Sequence, residues 1–412
     1  MPVTLRGRIE LAGLIAGIVL ALAIRVVLLP TDGFRPDLDQ FVLWVHDLAT
    51  TPLGEAYRQN LSFPPVMVYV FAALAALDPA FHTATTGADL TIRVLMKLPA
   101  TLADVGMAAC VAYALRQRPG WAAAAALAIL LNPAVWYVSA WWGQFESIYV
   151  LPALVAYLFA ASGRPVPAAV AMAVSLMTKP QALVFAVPFA AWILGRYGWR
   201  TAVLAALAGG ATVALLWLPF LADGGPFEYM RNLSTYQGTI FSVASVRAWN
   251  LWWLLEQAVG AFVADTSGVG PITLRVIGYA LAAWAEGLVF LAVLRRPTDR
   301  MLALGLACSV LVAFAMLTAM HERYSYAAVV FLLLLLPDRR MLWTWAALSL
   351  VIGANMMAAI PAPPLLGVIP AGGPIGVAGS VAMLVLTVIC VAFLLQERAP
   401  SSEPAAAASS AA

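Results

Sequence analysis

IELAGLIAGIVLALAIRVVLL, residues 9–29, is long and apolar enough to cross a bilayer. A spanning helix needs about 20 mainly apolar residues. Arg6 and Arg8 precede this run, which is longer than the core of a typical signal peptide, and no A-x-A-like cleavage site follows it. We therefore expect residues 9–29 to be retained as a first membrane span.

The composition of the whole chain agrees with a membrane protein. Of its 412 residues, 63% are hydrophobic and only 10% are charged, whereas a soluble domain carries about a quarter charged residues. The net charge of +3 is too small to suggest a nucleic-acid partner. Cys110, Cys308 and Cys390 are odd in number and irregularly spaced, so we expect neither a disulfide framework nor a zinc site.

Eleven further apolar runs follow the first, although several are shorter than a full span. They are Thr91–Leu115, Trp121–Val138, Ile148–Ala161, Val166–Met177, Ala182–Leu194, Thr201–Leu221, Thr273–Leu294, Met301–Met320, Tyr326–Leu336, Met341–Ile360 and Ile375–Leu395. The sequence thus predicts an all-α polytopic membrane protein with about twelve transmembrane helices in one domain, residues 1–398. The small polar tail, residues 399–412, is expected to be disordered.

The arginines set the predicted orientation. Phe63–Leu77 is apolar but only about 15 residues long, and two prolines open it. If it does not cross, all arginine clusters fall on one side, the cytoplasm. These clusters are Arg6/Arg8, Arg116/Arg118, Arg164, Arg196/Arg200, Arg295/Arg296/Arg300, Arg339/Arg340 and Arg398. We therefore place Phe63–Leu77 and Trp249–Val263 on the outer surface, within outer segments Pro30–Leu90 and Ala222–Pro271, with both termini cytoplasmic.

The first outer segment contains RPDLDQFVLWVHDLAT, residues 35–50, whose apolar residues recur at helical spacing. This pattern predicts an amphipathic helix on the membrane surface. Asp37 and Asp39 lie at its start, where an acidic residue can cap a helix. The functional alternative is a carboxylate base held just above the bilayer.

Two other motifs lie near the predicted outer ends of spans. WWGQFES, residues 141–147, begins with tryptophans that fit an interfacial aromatic belt, whereas its Gln144 and Glu146 do not fit one. MTKPQ, residues 177–181, follows a run of only about 12 residues, or roughly 18 Å of helix against a core of about 30 Å. Lys179 should therefore lie below the outer surface.

MHERY, residues 320–324, adjoins an equally short run, so its charged residues should be sunken too. Charges at that depth face a cavity, snorkel to the surface or pair with one another. We favour a shared polar cavity open to the outside, which Arg247 could join from the second outer segment. Carboxylates can act as bases and cations can hold a phosphate, so this combination suggests group transfer from a lipid phosphate.

The ordered motifs resemble the GT-C superfamily of polyprenyl-phosphate-sugar-dependent glycosyltransferases. The resemblance rests on PDLDQFVLWVHDLAT, SFPPVMVY, WWGQFES, TKPQ, AWNLWW and MHERY, which run in order from Asp37 to Tyr324. The motif order looks most like that of bacterial membrane proteins related to the GPI-anchor mannosyltransferases. It is also similar to that of the dolichyl-phosphate-glucose glucosyltransferases. The resemblance implies a GT-C-like helix bundle with two surface helices in the first outer loop.

The resemblance also implies roles for individual residues. Asp37 matches the acidic catalytic base, with Asp39 as the second choice, and His321-Glu322-Arg323 matches a motif that contacts the donor phosphate. Relatives often have Asp where this chain has Glu146. No metal or other cofactor is expected. The remaining candidates are Lys179 and Arg247 for the phosphate, and Gln144, Glu146, Gln181 and Glu322 for the rest of the cavity.

The implied activity is inverting transfer of a sugar, mannose-like by resemblance, on the outer face of a bacterial plasma membrane. The donor would be a polyprenyl-phosphate sugar, and the acceptor hydroxyl could belong to a glycolipid, a glycan or a protein. One alternative is a lipid-linked-sugar flippase or transporter without chemistry, and another is a scaffold in an envelope-assembly complex. The polar residues near the outer ends and the lack of an internal repeat favour the transferase.

Overall fold

The computed structural model describes residues 5–362 and 369–397, and its architecture is almost entirely helical. The helices are α1 Leu5–Leu28, α2 Arg35–Thr50, α3 Pro65–Leu77, α4 Leu90–Ala114, α5 Pro119–Leu130, α6 Pro133–Trp136, α7 Glu146–Ala161, α8 Pro165–Leu176, α9 Leu183–Trp217, α10 Gly225–Thr239, α11 Leu251–Val259, α12 Leu274–Arg295, α13 Asp299–Met316, α14 Tyr326–Leu333, α15 Arg339–Ala359 and α16 Gly373–Gln396. The strands are β1 Ser245–Val246, β2 Gly268–Val269, β3 Ile272–Thr273 and β4 Met320–His321.

The prediction of an all-α polytopic membrane protein is confirmed. Within the described residues, seven helices are long and apolar enough to cross a membrane, or up to eight if the bent pair Pro119–Leu130 and Pro133–Trp142 forms one span. Each of the twelve predicted runs is helical, but α7, α8 and α14 have only 16, 12 and 8 residues. The predicted count of about twelve therefore exceeds what helix length alone supports.

Helix α9 contains two of the predicted spans, joined at Gly198. The φ of Gly198 is +78°, a left-handed conformation that breaks the helix and that glycine adopts without steric cost. The second half packs along α8, where Gly209 approaches Ala169, and Trp217 at its end stacks 5.1 Å from Tyr57. The chain thus returns to the end of the bundle from which α9 began.

The centre of the bundle is α13, which packs against α9, α12, α14 and α16. Its residues from Met301 to Ala315 are all buried, as expected for a helix that is apolar on every side. Peripheral helices instead expose apolar side chains, such as Leu11 and Val26 on α1 and Leu207 on α9. In a membrane protein these outward faces contact lipid.

The first outer segment folds into two helices, α2 and α3, as predicted. They pack on each other through aromatic residues, with the ring centre of Phe71 on α3 lying 6.5 Å from Phe41 and 6.3 Å from Trp44 on α2. The residue before α2 is Phe34, and no side chain caps this helix. The aspartates near its start are therefore not capping residues.

The second outer segment, residues 222–271, contains α10, β1, α11 and β2. Asn250 caps α11, because its side-chain oxygen accepts hydrogen bonds from the backbone N–H groups of Trp252 and Trp253. This helix lies within Trp249–Val263, and the predicted location of that segment on the outer surface stays a prediction. The predicted tail, residues 399–412, and Arg398 lie outside the described residues, so the proposed domain end at residue 398 stays a prediction.

Candidate active site

A cavity of about 1040 Å³ lies where α2, α10, β1 and the loops before α7, α9 and α14 meet. It brings together most of the residues that the sequence singled out. Those that line it are Asp37, Gln144, Lys179, Gln181, Arg247, His321, Glu322 and Arg323. Asp39 and Glu146 are not among the lining residues, and the reasons differ.

Asp37 projects into the cavity from the first turn of α2. Trp142 Nε1 donates a hydrogen bond of 2.9 Å to its Oδ2 atom, and Gln144 Nε2 donates a second bond to the same atom. A π-helical turn, Tyr137–Trp142, and Gly143 with a φ of +90° bring both donors there. π-Helical turns are frequent at functional sites. Asp37 is thus a carboxylate held in a fixed orientation.

Asp39 lies outside the cavity and has a structural role. Its Oδ1 atom is 3.0 Å from Arg35 Nη2, and it accepts a 2.8 Å hydrogen bond from the backbone N–H of Gly87. These contacts tie α2 to the loop before α4. Of the two predicted base candidates, only Asp37 therefore faces the other site residues.

Glu146 is completely buried beneath the cavity, between two cations. Its Oε1 atom is 2.5 Å from Lys179 Nζ and 3.3 Å from Arg323 Nε. Burial lowers the pKa of the Lys179 ammonium, and the nearby Glu146 opposes that shift. The alternative that the sunken charges pair with one another is thus realised in part, and Glu146 holds two cations at the cavity floor.

The His-Glu-Arg motif begins in β4, where His321 is paired with Val246 of the parallel strand β1. Arg323 Nη1 lies 2.8 Å from Glu322 Oε1 and 3.2 Å from His321 Nδ1. Burial, followed by the charges of Arg323 and Lys179, lowers the pKa of His321 well below its ordinary value. A guanidinium can only donate, so a neutral His321 accepts at Nδ1 and carries its proton on Nε2.

Arg247, in the second outer segment, also lines the cavity. Its backbone has a φ of +54° and forms a bridge with His321. Nη1 donates a 3.0 Å hydrogen bond to the carbonyl of Ala359, while Asn355 Nδ2 donates to the carbonyl of Arg247 at 2.9 Å. The loop that carries Arg247 is therefore anchored on α15.

One functional contact was missed in the sequence, where Trp142 was attributed to an interfacial belt. Its indole N–H instead binds Asp37, and the Arg323 guanidinium carbon lies 5.0 Å from the centre of its ring. Trp142 thus connects the carboxylate with the cationic part of the cavity. The available signal was its position two residues before Gln144 and four before Glu146, the polar residues that do not fit a belt.

A buried polar network below the cavity was also missed. Asp104 accepts hydrogen bonds from Arg25 at 2.8 Å and Ser139 at 2.6 Å, and also from Ser147, whose hydroxyl contacts Tyr326 at 2.9 Å. The signal was available in the sequence, since an arginine and an aspartate interrupt apolar runs. The network holds both the π-helical turn and the start of α7.

The side chains that bind metals most often do not converge in the part of the chain that the structure describes. Within residues 5–362 and 369–397, no group of three or more His, Cys, Asp and Glu residues could hold a metal ion. The candidate site instead combines one oriented carboxylate with several cationic or proton-donating side chains.

The fold has a counterpart among solved structures. A crystal structure of ArnT from Cupriavidus metallidurans bound to undecaprenyl phosphate aligns with a TM-score of 0.50, covering 93% of this chain and 77% of that chain. The chain has the GT-C fold. Sequence identity is 17%, so this likeness shows the fold alone. No protein-family profile and no curated protein sequence matches the chain. The closer resemblance to GPI-related mannosyltransferases stays a prediction.

Proposed function

We propose that this protein is an inverting glycosyltransferase that moves a sugar from a polyprenyl-phosphate donor to an acceptor hydroxyl. The carrying observation is that Asp37, oriented by two donors, faces the same cavity as His321 and Arg323. The GT-C fold supports the proposal. So does the undecaprenyl phosphate bound to the similar ArnT structure.

In the proposed complex, the donor phosphate binds the cationic part of the cavity. Arg323 and Lys179 supply positive charge, and Nε2–H of neutral His321 supplies a further hydrogen bond. Arg247 would contact the phosphate from the opposite outer segment. The apolar side chain of Ile240 lines the cavity and is 57% exposed, which supports an exit for the polyprenyl tail towards lipid.

Asp37 is proposed as the base. Both N–H donors bind its Oδ2 atom, and within the described chain Oδ1 has no hydrogen-bond partner, so Oδ1 is free to accept a proton. As Oδ1 takes the acceptor's hydroxyl proton, the acceptor oxygen bonds to the anomeric carbon. The bond from that carbon to the phosphate oxygen breaks with its electron pair, and the configuration inverts.

The leaving phosphate is already anionic, so a strong general acid is not required. Stabilisation comes from charges that are fixed before the reaction, which is the largest catalytic effect in many enzymes. Glu146 is proposed to hold Lys179 and Arg323 in place for this role. Gln144 would orient Asp37, while Gln181 and Glu322 complete the cavity wall.

The biological setting is proposed from the sequence. The arginine distribution supports cytoplasmic termini and a site on the outer face, and the alanine-rich spans suit a bacterial plasma membrane. By resemblance, a mannose-like sugar is the first donor to test.

The test is sugar transfer by the purified protein in detergent, with synthetic polyprenyl-phosphate sugars and envelope lipid extract. We expect Asp37→Asn to reduce transfer by about 10²- to 10⁴-fold, the usual contribution of a general base. Asp39→Asn is the matched control, and it should retain transfer because Asp39 lies outside the cavity. Undiminished transfer by Asp37→Asn would refute the assignment. Donor binding without transfer from any donor would instead favour a flippase.

A further inference from the structure

The cavity is chemically asymmetric. Its cationic and imidazole side chains all come from three regions: the Pro180 loop, the β1 loop and the β4 loop. The first outer segment, residues 30–90, contributes a different surface that includes Gln40, Gln59, Asn60 and Ser62. Among the cavity-lining residues of that segment there is no Lys, Arg or His, and its charged members are two aspartates.

We name this surface the amide wall, and define it as Gln40, Gln59, Asn60 and Ser62, with Gln237 facing the same cavity from α10. Within residues 5–362 and 369–397, the side chains of these five residues make no hydrogen bond to the protein. Amide groups both donate and accept hydrogen bonds. The amide wall therefore offers unused donors and acceptors beside the proposed base.

The amide wall continues directly from Asp37 along α2. Asp37, Gln40, Trp44 and Asp47 are separated by three, four and three residues, which places them on one face of the helix. All four line the cavity, and they extend over roughly 15 Å at 1.5 Å per residue. A molecule bound along this face would present one end to Asp37.

Aromatic groups border the same surface. Trp44 and Phe63 line the cavity in an edge-to-face arrangement, with ring centres 5.7 Å apart, and Tyr236 adds a third ring from α10. Aromatic faces bind the apolar faces of partly polar molecules, while nearby amides fix their orientation. This combination suits a ring that carries many hydroxyl groups.

Negative charges beside the amide wall disfavour an anionic acceptor. Asp37 and Asp47 line the cavity on the same face of α2 and would repel a phosphate or carboxylate placed there, and no Lys, Arg or His of residues 30–90 lines the cavity to offset that repulsion. The side chains that could hold an anionic group, Lys179 and Arg323, line a different part of the cavity. The lining thus suits an anionic ligand on one side and an uncharged ligand on the other.

We propose that the amide wall binds the acceptor, and that this acceptor is the uncharged sugar end of a glycan. The role of the bound sugar as acceptor rests on the proposed glycosyl transfer. The binding of a neutral sugar to the wall follows from its own side chains. One sugar hydroxyl would lie at Asp37, while Gln40, Asn60 and Gln237 bind others.

The first experiment measures binding without chemistry. Neutral methyl glycosides and short neutral oligosaccharides are tested against the detergent-solubilised protein by saturation-transfer NMR. Matched compounds that carry a phosphate or carboxylate, and a serine- and threonine-containing peptide, are tested in parallel. We expect binding of at least one neutral glycan, and weaker binding of its anionic counterpart.

The variant for this test is the pair Gln40→Leu and Asn60→Gly. Leucine keeps the bulk of Gln40, and glycine tolerates the left-handed φ of +56° at Asn60. Two lost hydrogen bonds should weaken glycan binding about tenfold or more. The matched control is Gln117→Leu, on an exposed turn after α4 and outside the cavity, which should bind like the wild type.

A kinetic arm then separates this inference from the proposed function. The pair should raise the acceptor KM while polyprenyl-phosphate binding stays unchanged. Binding only of anionic compounds or of the peptide would overturn the inference, as would glycan binding that the pair does not weaken. Neutral-glycan binding that the pair weakens, without transfer from any donor, would support the glycan site and reject the glycosyltransferase.

Discussion

Replacing Glu146 with glutamine tests the electrostatics beneath the cavity. The change removes the carboxylate that lies 2.5 Å from Lys179 and 3.3 Å from Arg323, while keeping the size of the side chain. Arg323 retains Glu322 as a partner, but Lys179 has no other ion pair within the described residues. The variant thus leaves a buried ammonium without its counterion.

The expected loss can be bounded from the geometry. Two unit charges 2.5 Å apart attract by about 7 kcal/mol at an effective dielectric constant of about 20, and desolvation offsets much of this. Removing one partner of a buried pair generally costs about 3–5 kcal/mol. Lys179 is 3% exposed and Glu146 is fully buried. We therefore expect Glu146→Gln to lower the free energy of unfolding by an amount within that range.

The pH dependence gives a sharper test. Burial already lowers the pKa of Lys179 below its ordinary 10.5, and removal of Glu146 lowers it further. The unfolded chain then binds more protons than the folded chain between the lowered pKa and 10.5. The free energy of unfolding of the variant should therefore rise with pH between these two values. At a pH below the lowered pKa of Lys179, the variant should show the whole loss of stability. Polyprenyl-phosphate binding should fall over the same window, because Lys179 loses its charge.

Thermal unfolding of the detergent-solubilised protein across a pH series measures the first trend, and titration with polyprenyl phosphate measures the second. The control is Asp299→Asn, which breaks the pair between Arg196 and Asp299, both 38% exposed. An exposed pair contributes less than about 1 kcal/mol. Wild-type stability of Glu146→Gln at every pH, or stability that falls as pH rises, would refute the reasoning.

Two further predictions concern the groups around Asp37. Trp142→Phe keeps a ring beneath Arg323 but removes the N–H donor to Asp37. A hydrogen bond to a charged group contributes about 1.5–3 kcal/mol. The kcat of this variant should therefore fall about tenfold or more, with little change in the donor KM. Trp136→Phe should leave kcat unchanged, and an equal fall there would attribute the effect to packing. Asp104→Asn should lower the free energy of unfolding by about 3–5 kcal/mol, because it leaves Arg25 buried without its counterion. Adding Arg25→Met should restore part of this loss in thermal unfolding. No recovery would show that the serine contacts of Asp104 dominate.

The helical membrane fold could be predicted because it depends on local composition. Every predicted apolar run is helical, and the parity of the arginine clusters assigned Phe63–Leu77 to a surface helix rather than a span. The number of spans was less predictable. An eight-residue helix such as α14 is stabilised by the bundle that surrounds it, and its own length does not reveal that environment.

The candidate site could be predicted as a set of residues, but only partly as an arrangement. Asp37 and Asp39 are two positions apart, so a helix turns them to different faces, and only the packing of α2 decides which face lines the cavity. The pairing of Glu146 with Lys179 joins residues 33 positions apart. Contacts of this kind depend on how helices pack, which the sequence of either segment does not specify.

The π-helical turn at Tyr137–Trp142 also constrains how this chain can change in length. An α-helix advances about 100° per residue, and a π-helical turn accommodates one residue more than an α-helical turn. Loss of a single residue here would let the helix continue regularly while rotating everything after it. The span would persist, but Trp142 and Gln144 would no longer point at Asp37. A deletion that leaves the apolar character of the span unchanged would thus still abolish the contacts that orient Asp37.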